Sequence, residues 1–376
     1  MYLHVLWLQA SLPRLLRGMI MSPRNGCEHT LKKVYILLLN WNGWRDSIEC
    51  LESIFRNEHS NYQVILCDND SRDGSLEHVK AWADRHMDVA VALDNPLHHI
   101  SFPPIPKPIV YAQYNRQQAE AGGCPASRDA QLILIQTGSN LGFAGGNNVG
   151  LRYALSRADF SYIWLLNNDT VILPNTLTRL LSRAKQDSNI GICGSSLRYY
   201  YAPNQYQCFG GASYNKWLGT VRLVGGGMQV GEEIECNQVE TAMDYVMGAS
   251  MLVSFEFLQT VGLMEEGYFL YFEELDWAVR CKGKFLIAYA PNSIVFHKEG
   301  ASIGTKNSTS RSKRFLSEYY FTRNKLVFTK KHYPYALPTL YFGILIAVFV
   351  RLLRGQLSRA ITLIKVLLKI VFKAQI

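Results

Sequence analysis

Short apolar runs closed by polar clusters recur along the first half of the chain. VYILLLN (34–40) runs into Asn-Trp-Asn-Gly, and YQVILCDND (62–70) ends in acids. QLILIQT (131–137), YIWLLNND (162–169) and IGICGSSL (190–197) repeat the pattern. Runs this short, apolar at consecutive positions, predict strands buried on both faces, as in a parallel sheet. Between them, helices are predicted over Asp46–Phe55, Leu76–Arg85, Val149–Ser156 and Pro174–Lys185. Ser71–Ser75 and the Gly/Asn-rich Gly142–Gly150 are predicted as turns. Residues 94–130 interrupt the rhythm with Pro96, Pro103, Pro104, Pro106, Pro108 and Gly122-Gly123, and are expected to form an inserted surface loop. Strand–helix alternation of this kind predicts an α/β fold with a mostly parallel, doubly wound sheet.

In such sheets ligands lie outside the carboxyl ends of the strands. The polar clusters Asn40–Asn42, Asp68–Asp70 and Asn167–Asp169 fall at three of those ends. Asp169 there suits a hard divalent cation held against a diphosphate, or caps the following turn. Asp68 suits a hydrogen bond from a nucleobase imide, or turn chemistry. NLGFAGGNN (140–148) places small residues where backbone must approach a ligand closely. Its glycines do not spell GxGxxG, and no Walker lysine is present, which argues against a dehydrogenase and a P-loop enzyme. A nucleotidyltransferase would want more than Arg45 after the first strand. Further on, YFLYFEELDWAVRCKG (268–283) sets Glu273, Glu274 and Asp276 among aromatics. Apolar walls would raise a carboxylate's proton affinity and suit it as a general base. The same acids also suit a helix N-terminus, with Arg280 pairing to Asp276. His297, after the strand-like SIVF, is a candidate metal ligand.

Charge is unevenly spread. Of the net +9, residues 311–376 hold 13 Lys/Arg against the single acid Glu318, leaving the rest at −3. A near-neutral body argues against a nucleic-acid binder, while the basic tail suits anionic lipid. Tyr335–Val350 carries no charge, and Lys365, Lys369 and Lys373 recur every four residues on a predicted amphipathic helix. The eight cysteines include no CxxC pair, and Cys67 and Cys193 sit in apolar runs, as in a reduced, cytosol-facing protein. Residues 1–30 open with an apolar run followed by arginines, the reverse of a signal peptide. They read as a surface-membrane helix or as sequence upstream of a start at Met19 or Met21.

Eight stretches in order, VYILLLNWNG, CDNDSRDGS, NLGFAGGNN, WLLNNDTVI, DYVMGASMLV, GYFLYFEELDWAVR, IVFHKEGAS and YYFTRN, resemble the inverting family 2 glycosyltransferases of the GT-A fold, in particular their rhamnosyltransferase-like branch. The resemblance implies a catalytic domain over 31–310, while the basic, apolar stretch 311–376 is expected to be a helical, membrane-associating region. It implies that Asn40, Asp68, Asn69, Asn147, Asn148, Asn167 and Asn168 line the nucleotide-sugar. Asp169 and His297 would hold Mg²⁺ or Mn²⁺, with Asn167 replacing the first acid of the family's metal motif. Glu274 would be the base, with Glu273 and Asp276 beside it, and Gly248, Ala249 and Ser250 would face the acceptor. The QxxRW motif of processive synthases is missing, so single-sugar addition is expected. The implied partners are a nucleotide-sugar donor (dTDP-rhamnose or a UDP-sugar), a glycan or glycolipid acceptor of a cell-surface polysaccharide pathway, and the cytoplasmic face of a membrane. A noncatalytic nucleotide- or glycan-binding relative is the alternative.

Overall fold

The computed structural model describes residues 32–232, 234–298 and 311–373. The expectations for residues 1–30, and for Glu299–Ser302 of the IVFHKEGAS stretch, fall outside them.

The strands are β1 (Lys33–Asn40), β2 (Tyr62–Asp68), β3 (Tyr111–Asn115), β4 (Leu132–Gln136), β5 (Phe160–Asn167), β6 (Thr170–Ile172), β7 (Ile190–Tyr199), β8 (Ala202–Phe209), β9 (Gly211–Asn215), β10 (Thr220–Leu223), β11 (Tyr245–Val246), β12 (Ser250–Ser254) and β13 (Leu286–His297). The helices are α1 (Trp44–Ile54), α2 (Ser75–Ala83), α3 (His98–Ser101), α4 (Arg116–Glu120), α5 (Gly142–Arg157), α6 (Thr176–Ala184), α7 (Cys236–Ala242), α8 (Phe255–Val261), α9 (Glu273–Cys281), α10 (Arg311–His332), α11 (Leu337–Leu353) and α12 (Leu357–Lys373). The main sheet runs β3-β4-β2-β1-β5-β12-β7-β13-β6, with β8 paired to β7. The β3 to β5 half is parallel, and β12 enters antiparallel between β5 and β7. This is the layered α/β arrangement that the alternation predicted, with a sheet that is parallel through its first half and mixed beyond β5.

Period-two alternation explains the two cores. Val34, Ile36 and Leu38 of β1 point to one face, where α1, α2 and α6 supply Leu51, Trp82 and Leu180. Tyr35 and Leu37 point to the other, where α5, α8 and α9 supply Val149, Phe257 and Trp277. Both faces are covered, so the strands read as continuous apolar runs.

Two expectations need correction. The stretch 94–130 is not a bare loop: Tyr111–Asn115 forms the edge strand β3, parallel to β4. The surrounding prolines hid it, although an edge strand tolerates them nearby. And Gly142–Gly150 is not a turn but the first half of α5. A side chain at Gly146 or Gly150 would collide with Leu39 or Leu37 of β1. These glycines let the helix sit close to the sheet, which outweighs their poor helix propensity.

Helix α10 is part of the body. Its Phe328 packs with Tyr268, Phe272 and Leu275 in a cluster shared with the small β9–β11 sheet. Helices α11 and α12 pack on its Leu326 through Leu340, Ile344, Ala360 and Leu363.

Candidate functional site

Parallel register brings the predicted polar ends together. Asn40 lies beside Asp68, Asp68 beside Gln136, and Leu39 beside Asn167. Asn40, Asp68, Asn69, Asn168 and Asp169 are buried, Asp70 and Asn167 are half-buried, Asn42 is exposed, and a hydrogen-bonded web joins the three ends. Asn40 donates to Asp68 Oδ1 (2.8 Å) and accepts from Ser47 Oγ (2.9 Å) and Asn168 Nδ2 (3.2 Å). Asp68 Oδ2 accepts from the Ser71 amide and from Gln136 Nε2, both at 3.1 Å. A buried carboxylate satisfied this fully is rigid.

Asp169 and His297 meet across the sheet because β13 ends beside β6, with His297 opposite Thr170. His297 Nε2 lies 3.2 Å from Asp169 Oδ1 and 3.5 Å from Asn167 Nδ2. Its Nδ1 donates to Gln207 Oε1 at 2.9 Å, which turns the Nε2 lone pair of a neutral ring toward the carboxylate. Two acceptors this close need a cation or a proton between them. That donor set, one carboxylate and one imidazole, suits Mn²⁺ and admits Mg²⁺. No group of three or more ligating side chains occurs among the described residues. A cation here would take its remaining ligands from a diphosphate and water. Burial pushes the Asp169 carboxyl up; where a proton rather than a cation lies between the two side chains, the charge and hydrogen bond of His297, with the Lys298 ammonium, outweigh burial and hold the group below the usual carboxylate range.

Lys298 braces this pair. Its amide donates to Asp169 O (2.9 Å), and its ammonium bonds Asp46 and Glu49 of α1, each at 2.6 Å. Burial lowers the proton affinity of this ammonium, and the two carboxylates more than reverse that.

Glu273 and Glu274 open α9. The chain enters it through Phe269, Tyr271 and Phe272, all at positive φ (66°, 69° and 77°). Bulky residues hold such backbone only under external constraint. Asn324 of α10 supplies it, donating to the carbonyls of Tyr268 (2.7 Å), Leu270 (2.7 Å) and Tyr271 (3.2 Å). Tyr271 also hydrogen-bonds Ser317. Burial, reinforced by the Glu274 charge, pushes the Glu273 carboxyl well above its ordinary value. Glu273 Oε2 is buried without a hydrogen-bond partner. Glu274 is half-buried, and burial raises it too. A Cβ on Gly248 would strike Glu274 Oε1, so only glycine lets that carboxylate lie there. The next residue, Ala249, accepts from the Asn167 amide at 3.1 Å. Two neighbouring residues therefore carry the contact between the carboxylate pair and the Asn167–Asp169 turn.

Several residues expected at the ligand are engaged otherwise. Asp276 is buried among Arg280 (2.7 Å), Lys331 (2.9 Å) and His332 (2.7 Å). One helical turn past Glu273, it faces α10 and anchors that helix. Its carboxyl feels burial as an upward push, yet hydrogen bonds from His332, Lys331 and Arg280, with the charge of Arg280, bring it well below the usual range. Asn69 clamps the loop before α5, donating to Asn140 Oδ1 and Gly142 O (both 3.1 Å) and accepting from the Leu141 amide. Asn148 ties α5 to Met264 and Glu266, and Asn147 bonds Phe143 O within its own helix. Ser250 joins a buried hydroxyl chain with Trp164, Ser195 and Ser293. Gln207 and Asn324 were not foreseen. Gln207 acts through one contact and Asn324 through three, all distant in sequence, although Asn324 lies in the YYFTRN stretch.

Residues 36–95 and 117–218 match the family model described as Glycosyl transferase family 2. The match covers the strand ends at Asn40, Asp68 and Asp169 and stops before Glu274 and His297. The low-salt glycan biosynthesis hexosyltransferase Agl10 of Haloferax volcanii is 25% identical over 153 residues, 40% of this chain and 46% of that protein. The chain thus matches about half the length of this curated relative. Among solved structures, the mannosyltransferase PcManGT from Pyrobaculum calidifontis, in complex with GDP-Man and Mn²⁺, shares 14% identity. That comparison covers 91% of this chain and 87% of that one, with a TM-score of 0.48. S. aureus TarS 1-349 shares 10% identity over 82% of this chain and 70% of that one, with a TM-score of 0.41.

Proposed function

We propose that this protein transfers a sugar from a nucleotide-sugar donor to a glycan hydroxyl with inversion at the anomeric carbon. The observation that carries the proposal is the Asp169–His297 pair set beside Glu273–Glu274 through Ala249 and Gly248. The match to the family 2 model supports the reaction class, and the hexosyltransferase relative supports a hexose-type donor.

Asn40, Asp68 and Asn168 form the rigid wall toward the donor nucleotide. Asp169 and His297 would hold Mg²⁺ or Mn²⁺, which when bound supplies charge stabilisation to the diphosphate leaving group. Glu274, the more accessible of the two raised carboxylates, takes the proton of the acceptor hydroxyl. The acceptor oxygen forms the new bond to the anomeric carbon as the bond from that carbon to the diphosphate oxygen breaks. Burial keeps the proton affinity of Glu274 above its ordinary value, which suits it as a general base. dTDP-rhamnose and UDP-sugars are the donors to test first. The acceptor is a lipid-linked glycan of a cell-surface polysaccharide, met at the cytoplasmic face of a membrane. The basic, apolar helices that extend α10 support this placement.

A donor panel with and without Mn²⁺, reading released nucleoside diphosphate, tests the reading. Wild type should turn over one donor in a metal-dependent way, and Asp169→Ala and Glu274→Gln should both lose that turnover. Turnover that survives in Glu274→Gln would remove the assigned base.

A further inference from the structure

Ten of the 21 exposed large hydrophobic side chains among the described residues lie on α11 and α12. Phe342, Leu345 and Phe349 form a stripe along α11 at helical spacing and are 56–66% exposed. Leu357, Ile361 and Ile364 form a second stripe on α12, 39–60% exposed. The opposite sides of both helices are spent on the Leu326–Leu340–Ile344–Leu363 core, so the stripes have no partner within the described chain. Contiguous apolar area of this kind marks an interaction site.

By length and composition, Pro334–Leu353 could cross a bilayer. The packing argues otherwise. Helix α11 is flanked by α10 and α12. At its far end, Glu318 of α10 pairs with Arg351 and with Arg359 (2.8 Å). Driving α11 through hydrocarbon would carry that ion cluster and the neighbouring Lys365 and Lys369 with it, at high cost. At its near end, Thr339 Oγ1 donates to Trp217 O (2.7 Å) in the β9–β10 turn of the body. Trp217 packs on Tyr335 with ring centroids 5.4 Å apart, and the Lys216 ammonium lies over both rings. Trp217 and Leu218 of that turn are themselves exposed (47% and 61%). Trp, Tyr and Lys are the residue types that favour the bilayer–water boundary.

We propose that the exposed stripes of α11 and α12, together with the Trp217–Leu218 turn, form one surface that docks in the plane of an anionic lipid bilayer without crossing it. The occupant is chosen by charge: the excess of 12 positive charges over residues 311–376 complements anionic headgroups and would repel a second copy of itself. The inference rests on the membrane placement proposed above and specifies its geometry. It also ties the membrane to the site, because α10 bears both this hairpin and Asn324.

The test uses the full chain and two sets of vesicles: phosphatidylcholine alone, and phosphatidylcholine with about 30% phosphatidylglycerol. The wild type should co-sediment with the anionic vesicles and at least about tenfold less with the neutral ones. The double variant Phe342→Glu/Phe349→Glu, at exposed positions, should keep its circular dichroism and its activity in detergent while losing vesicle binding. Trp217→Ser should weaken binding by a smaller factor. A C-terminal epitope should stay open to protease from outside, and alkaline carbonate should release the protein. A protected epitope with carbonate resistance would overturn in-plane docking, as would unchanged binding by the double variant. Both outcomes leave the membrane placement standing. Absence of wild-type binding to either vesicle would remove that placement as well. A dimer formed without vesicles and lost in the double variant would assign the face to a second copy.

Discussion

Asn324 stands far from the chemistry in sequence, yet its loss should disable it. In Asn324→Ala the carbonyls of Tyr268, Leu270 and Tyr271 lose their shared donor. The amide has two N–H groups, so the equivalent of two buried hydrogen bonds disappears. Leaving buried acceptors unpaired costs about 1–3 kcal/mol each, so a loss of roughly 2–6 kcal/mol in folding stability is expected. The loop has a way to relieve part of this. Phe269, Tyr271 and Phe272 sit at positive φ, and each stores on the order of 1–3 kcal/mol that relaxation would release. A net loss of about 2–3 kcal/mol with a rearranged loop is therefore the expected outcome. The relaxed loop no longer aims Glu274 past Gly248, and a shift on the order of 1 Å costs about 100-fold in rate. The donor wall at Asn40, Asp68 and Asp169 does not touch this loop. The kcat should fall by about two orders of magnitude while the KM for donor stays within a few-fold. Urea unfolding and steady-state turnover of the donor found in the panel measure the two halves. A variant with wild-type kcat, or one that loses only donor affinity, would refute the claim that Asn324 sets the position of the carboxylate.

Two further outcomes follow from the same geometry. Gln207→Leu removes the acceptor that orients His297, so Mn²⁺ affinity read by paramagnetic resonance should drop about 10- to 100-fold, whereas Gln207→Glu, which still accepts from Nδ1, should retain it. Glu273 gives a pH signature. Its folded proton affinity is raised, so its contribution to stability is full below the unfolded value of about 4.3 and declines as pH climbs toward the folded one. Glu273→Gln should accordingly melt higher than wild type at pH 8, with the difference shrinking at pH 5. An equal difference at both pH values would contradict a buried, proton-retaining carboxyl.

The strand order of the first half was legible because two-sided burial writes continuous apolar runs. VYILLLN, YQVILCD and YIWLLN each became a strand within two residues of expectation at either end. The polar ends of those runs were legible for the same reason, since polarity at the end of a buried strand must meet either water or a site. What misled was local composition. Glycines in α5 looked like a turn because close helix–sheet packing and turn geometry demand the same residue. Prolines around 103–108 masked β3, whose partner β4 lies beyond them. Asp276 looked like its neighbours Glu273 and Glu274, but a step along the helix turned it from the site toward Lys331 and His332.

The sequence by itself thus determined the layered α/β class, the ends of the strands where chemistry gathers, and the separation of a near-neutral body from a basic, apolar tail. These follow from the period of burial and from charge, both of which are local properties of the chain. Tertiary structure alone decided which acids face the site, that Gln207 sets the His297 tautomer, and that Asn324 holds a strained loop in place. The pairing of the tail's ions, which argues for lying on a bilayer rather than crossing it, was decided there too. Each of those depends on contacts between residues 33 to 90 positions apart, and no pattern along the chain records them.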